Sequence, residues 1–189
     1  LFEQYSSYAV FDIILEITGV CFGFASVWYS KQNNILVFPT GLISTSIFVY
    51  LLFKWQLIGD TMINAYYFIM SLYGWYVWTR KVNDINVTPI SRTTKSEQLT
   101  GVVIFLITLV LVYKVYQFFG MWTHWVAYID TLTTALFFVG MWLMAKRKIE
   151  NWYFWIVADI ISVPLYFYKG LTFSSIQYFG FTILAIFGF

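Results

Sequence analysis

The chain has 189 residues, 60% of them hydrophobic and only 11% charged, where a soluble domain carries about 25% charge. One cysteine, Cys21, and one histidine, His124, leave no basis for a disulfide framework, a multi-cysteine metal site or histidine-centred catalysis. A net charge of +2 with a mean hydropathy of +0.73 describes an all-α integral membrane protein rather than a soluble enzyme. No HExxH, CxxC, GxGxxG, Walker or GxSxG pattern occurs, so no cofactor, metal or nucleic acid is expected. The sequence opens on Leu1 and stops at Phe189 inside an apolar run, and both native ends are expected to lie beyond it.

Seven apolar segments reach the ~20 residues that one crossing needs: 9–29, 35–54, 57–79, 98–119, 125–145, 150–168 and 171–189. The connections are short except for 79–97, which is charged and Ser/Thr-rich and reads as the one true linker. Connections one, three and five carry Lys31, then Arg80, Lys81, Arg92 and Lys95, then Lys146, Arg147 and Lys148. The opposite connections carry only Lys54 and Lys169, which places the amino terminus outside and the carboxyl end in the cytoplasm. The chain also repeats weakly: Trp28 matches Trp142, Asn34 matches Asn151, and Phe53-Lys54 matches Tyr168-Lys169. The Asn and Lys pairs have unequal spacings, so this matching needs an insertion. It divides the chain into 1–80 and 121–189 as two parallel three-helix repeats, with 81–120 as linker and connecting helix.

In segment one Glu16 lies ~10 Å in from the outer end, followed on one face by Gly19, Gly23, Ser26 and Ser30. These small residues serve either a pathway or close helix packing. Segment two contributes Pro39 near its start and the hydroxyls of Ser44, Thr45 and Ser46, which can satisfy backbone groups. Segment three carries Asp60, Asn64, Tyr67, Ser71, Trp75 and Trp78 on one stripe, a face that lipid would penalise. Asp130 in segment five is placed to cap or solvate at the outer interface. Segment six aligns Trp152, Trp155, Asp159, Ser162 and Tyr166 on one face and carries Pro164, a candidate kink; segment seven offers Ser174, Gln177, Tyr178 and Thr182. Carboxylates, amides and hydroxyls among aromatic faces, with no basic residue at midspan, suit a flat cationic or electron-poor aromatic solute. An intramembrane enzyme and a passive channel are the competing classes.

Two motifs carry a family resemblance. Gly74-Trp75-Tyr76-Val77-Trp78-Thr79-Arg80 resembles the YGWYxW(S/T)R signature of the PnuC vitamin transporters. Lys146-Arg147-Lys148-Ile149-Glu150-Asn151-Trp152-Tyr153-Phe154-Trp155 resembles their (K/R)KxxENWxxW turn. Downstream of that turn, Ile160-Ile161-Ser162-Val163, Lys169-Gly170 and Gln177-Tyr178 also resemble the family pattern. The resemblance implies a 3+1+3 bundle similar to eukaryotic SWEET sugar transporters, assembled as a homotrimer in the bacterial inner membrane. It further implies facilitated diffusion of nicotinamide riboside and trapping by a cytoplasmic nicotinamide riboside kinase, with thiamine or a flavin as the alternative solute. The substrate-binding residues expected on this basis are Trp152, Trp155, Asp159, Gln177, Asn64 and Tyr67. Trp75 and Trp78 would line the cytoplasmic exit, and Glu16, Asn151 and Ser162 complete the candidate set. Some members of the family have Asn where Asp159 stands, a difference bearing on ligand choice.

Overall fold

The computed structural model describes residues 9–82, 85–86 and 88–188. Residues 1–8, 83, 84, 87 and 189, which include parts of the expected linker and of the last segment, lie outside the described residues. Seven helices are present among those described: α1 (Val10–Lys31), α2 (Val37–Lys54), α3 (Ile58–Thr79), α4 (Lys95–Phe118), α5 (Trp125–Ala145), α6 (Asn151–Tyr168) and α7 (Thr172–Gly188). Each falls within a few residues of an expected segment. By length and hydropathy α1, α2, α4 and α5 are apolar enough to cross a membrane, and α7 is a shorter apolar helix. The helices α3 and α6 fall outside that set, and both carry stripes of Asp, Trp and Tyr. The linker holds a minimal hairpin, β1 (Lys81–Val82) and β2 (Ile85–Asn86), pairing Lys81 with Asn86 and Val82 with Ile85.

The helices pack in a closed circuit. Each of α1–α2, α2–α3, α3–α5, α5–α6, α6–α7 and α7–α1 is a principal contact, while α4 lies against α5. The short connections and the ion pair between Lys54, ending α2, and Asp12, starting α1 (2.6 Å), fix one end of the ring. Lys169, at the close of α6, lies at that end beside Asp60 and Asp130, near the starts of α3 and α5. We refer to it as the Lys169 end and to the opposite one as the Trp78 end.

The turns within the two halves share one geometry. Asn33 (φ 52°) and Arg147 (φ 54°) end α1 and α5, while Gln56 (φ 59°) and Gly170 (φ 81°) end α2 and α6. In every case two successive N–H groups reach back to the last helical turn, as in Asn34 to the Tyr29 carbonyl and Lys148 to that of Leu143. Glycine accepts the left-handed conformation freely at 170, whereas the other three residues are held there by those bonds. Both turn pairs are 114 residues apart, as are Trp28 and Trp142. The turns thus match at a constant spacing, which the pairs Asn34 with Asn151 and Lys54 with Lys169 do not share. A contact repeats at the same spacing. A Cβ on Gly74 would lie 2.4 Å from Phe38, and one on Gly188 would lie 2.8 Å from Trp152.

The linker is held down where it approaches the helices. Ser91 donates its N–H to the Arg147 carbonyl and accepts from the Ile149 N–H, while the Thr93 N–H donates to Glu150. Lys148 pairs with Glu97 at 2.9 Å, beside a capping box in which Thr94 and Glu97 satisfy the first turn of α4. The basic turn after α5 thus serves as an anchor for the linker as well as a charge signal. Gly74→Ala is expected to overpack the Phe38 contact and lower stability by about 1–3 kcal/mol, read as a fall in Tm of the detergent-solubilised protein. A double-mutant cycle with Phe38→Leu should show the two changes compensating in part.

Candidate functional site

All six ring helices, and not α4, contribute to one cavity of about 120 Å³, counted as space open to the centres of water molecules. The helix stripes explain its lining, because polar groups on a bilayer-spanning ring are tolerated only on the enclosed side. From α1 come Gly23, Ser26 and Ser30; from α2, Gly41, Ser44 and Thr45; from α3, Asn64, Tyr67 and Ser71. From α5 come Met141 and Met144; from α6, Trp152, Trp155, Asp159 and Tyr166; from α7, Ser174, Gln177, Tyr178 and Phe181.

Six expected site residues therefore meet here: Asn64, Tyr67, Trp152, Trp155, Asp159 and Gln177. Tyr67 and Trp155 lie with ring centroids 5.5 Å apart, and Phe137 packs behind both. Asp159 is 1% exposed and its Oδ1 has no hydrogen-bond partner among the described residues; the Tyr67 hydroxyl is likewise buried and unpartnered among them. Gln177 is held against α1, where a Cβ on Gly23 would come within 2.3 Å of its Nε2. Asn64 donates to the Asp60 carbonyl one turn back, at 2.9 Å.

The other five lie elsewhere. Glu16 and Ser162 are fully buried behind the wall. Trp75 faces outward, half-buried. Trp78 is buried at its own end of the ring, donating its indole N–H to the Ala145 carbonyl, with the Arg147 guanidinium 4.2 Å from its ring centroid. Asn151 donates to the Lys148 carbonyl and, with Trp78 and Arg147, borders a cavity of about 30 Å³ under the linker. Ser30, Met144 and Trp152 border both cavities, so the small one lies at the Trp78-end mouth of the large one.

At the Lys169 end the cavity closes on an ionic cluster. The Lys169 ammonium lies 3.0 Å from Asp60 and 2.7 Å from Asp130. Burial works against its charge, but the two carboxylates outweigh burial and hold the ammonium above its ordinary range. Tyr166 donates to Asp60, Tyr116 of α4 donates to Asp130 at 3.2 Å, and the Tyr178 hydroxyl lies 3.4 Å from that of Tyr166. Asp130 is thus a buried partner in this cluster rather than a solvated cap. The signal for the cluster was present: Asp60 in the first turn of α3 and Asp130 in the second turn of α5 lie at the end where the Lys169 helix finishes.

Against known proteins, the profile of the nicotinamide mononucleotide transporter family matches residues 13–189. The chain belongs to that family. It is 23% identical over 205 residues to the nicotinamide riboside transporter PnuC of Escherichia coli (strain K12), covering 92% of this chain and 82% of that protein. It is 25% identical over 191 residues to the riboflavin/roseoflavin transporter RibM of Streptomyces davaonensis, covering 96% of this chain and 87% of that one. The crystal structure of the vitamin B3 transporter PnuC shares the fold, with a TM-score of 0.70 at 20% identity over 92% of this chain and 78% of that one.

Removing Lys169 alone would strand two buried carboxylates. Lys169→Met is expected to cost about 3–5 kcal/mol in denaturant unfolding, and the triple variant that adds Asp60→Asn and Asp130→Asn should recover most of it.

Proposed function

We propose that this chain carries nicotinamide riboside across the bacterial inner membrane as a uniporter. The observation that carries the reading is the cavity: a buried acid, Asp159, in an enclosure walled by Tyr67, Trp152 and Trp155 and lined by no basic side chain. A cationic pyridinium gains from the aromatic faces, by about 0.5–2 kcal/mol per good contact, and from the carboxylate. A phosphorylated solute would bring negative charge to a wall with nothing to neutralise it. The names of the PnuC relatives support this choice.

The chain is read as two parallel three-helix units, α1–α3 and α5–α7, joined by α4 in a SWEET-like 3+1+3 arrangement. The ring order supports it, since exchanging the units maps the α3–α5 contact onto α7–α1, and so does the constant spacing of 114 between turns. Access alternates as one unit rocks against the other around the cavity. The excess of basic residues at the Trp78 end supports a cytoplasmic location for it, which puts the Lys169 end and the amino terminus outside. The outward side of α4, with Val103, Leu106 and Val110 exposed, suits the lipid or the homotrimer contact expected for the family. Transport itself needs no catalytic step, and a cytoplasmic kinase would trap the riboside.

Riboflavin is the second reading, supported by the RibM relative. Liposomes containing the purified protein should take up labelled nicotinamide riboside with no ion gradient, and a requirement for protons or sodium would overturn uniport. Trp155→Ala is expected to raise the Kd for the riboside tenfold or more, since tenfold is about 1.4 kcal/mol. Asp159→Asn should weaken the cationic riboside while sparing neutral riboflavin. Calorimetry with both ligands decides between them, because tight binding of riboflavin alone would replace the first reading with the second.

A further inference from the structure

The cavity is chemically two-sided. Positions 114 apart hold opposite kinds of side chain on its two walls: Gly41 against Trp155, Ser30 against Met144, and Thr45 against Asp159. The α5–α6 side presents Met141, Met144, Trp152 and Trp155 beside Asp159, and α1 and α2 present Gly23 and Gly41 with the hydroxyls of Ser26, Ser44 and Thr45. The hydroxyls are already committed as donors. Ser26 Oγ donates to the Val37 carbonyl, Ser44 Oγ to that of Gly19 and Thr45 Oγ1 to that of Gly41, each at 2.8 Å. A hydroxyl has one proton and two lone pairs, so these three oxygens meet a solute as acceptors only. Gly41 keeps the wall open, since a Cβ there would lie 3.0 Å from Ser26 Oγ and 3.5 Å from Ser71 Oγ. Across the cavity, the Oδ1 of Asp159 is a further buried acceptor without a partner.

We infer that the Ser26–Gly41–Ser44 surface of α1 and α2 is the sugar-reading wall of the cavity. It accepts from the hydroxyl donors of a ribose while the α5–α6 side takes the flat ring. This rests on the proposed riboside transport and adds the orientation of the solute and the residues that distinguish a glycoside from its bare ring. An acceptor-only wall also disfavours a sugar whose hydroxyls are replaced by acceptors, since acceptor would then meet acceptor across a dry contact.

The test compares nicotinamide riboside with 1-methylnicotinamide, which keeps the cationic ring and carboxamide and lacks the sugar, by calorimetry on the purified full chain. Ser26→Ala should weaken the riboside on the order of tenfold and change 1-methylnicotinamide by less than about twofold. Gly41→Ala removes no hydrogen bond and covers the wall with a methyl group. It should give the same selective loss, with Tm recorded to confirm that the bundle is intact. If both ligands weaken equally in both variants, or the riboside is unaffected in both, the sugar-wall assignment is wrong while riboside transport stands. If the unaltered protein binds neither ligand, both readings fall.

Discussion

Lys169 grips two carboxylates that belong to different halves of the ring, and much of the architecture depends on that one buried charge. Asp60 lies in the first turn of α3 and Asp130 in the second turn of α5, so the ammonium between them joins α3, α5 and α6 at one end and stops the cavity there. Two carboxylates taken out of water carry a desolvation cost of several kcal/mol each unless a cation faces them. The tyrosines answer the same constraint, because carboxylates paired with one lysine still have lone pairs to satisfy. Tyr166 and Tyr116 supply those donors, and Tyr178 passes the chain of hydroxyls on to the cavity.

The opposite end is joined by different forces. Trp78 meets the Arg147 guanidinium and the Ala145 carbonyl across the α3–α5 seam. Lys31 lies 5.2 Å from the ring centroid of Phe187 across the α1–α7 seam. These are cation–π contacts and one hydrogen bond, each worth ~0.5–2 kcal/mol, with no carboxylate across either seam among the described contacts. The two ends can therefore be released separately: one by separating buried opposite charges, the other by sliding a guanidinium off an indole. The two closures thus differ in chemistry.

Much of this was legible in the sequence, for physical reasons. Helical periodicity and the exclusion of polar groups from lipid place Trp152, Trp155 and Asp159 on one inward stripe, and they meet in one cavity with Asn64, Tyr67 and Gln177. The stripe on α3 misleads toward its end, because a helix inside a ring turns part of any long stripe past the enclosed sector. Trp75 thus faces outward and Trp78 enters a seam. Ser162 belongs to the α6 stripe yet lies behind the wall, a packing outcome that spacing alone does not determine. The serines of α1 and α2 have a helix-packing or backbone-satisfying role in isolation. Only the three-dimensional arrangement shows that they satisfy carbonyls and line the cavity at once. Trp28 and Trp142 share the spacing of 114 found between the turns, whereas the Asn and Lys pairs do not, since a turn fixes backbone shape rather than side-chain identity.

The linker's attachment has a mechanical consequence. Glu97, in the first turn of α4, is tied to Lys148, and Tyr116, in its last turns, is tied to Asp130. Both anchors belong to the half that contains α5 and α6, and α5 is also the helix α4 lies against. Tyr116 and Val112 also pack on Met62 of α3, and a Cβ on Gly59 would run into the Tyr116 ring, so α4 braces the seam between α3 and α5. A tilt imposed on α4 by a change in bilayer thickness is therefore delivered to α5 at both ends of the rod and to α3 beside Tyr116.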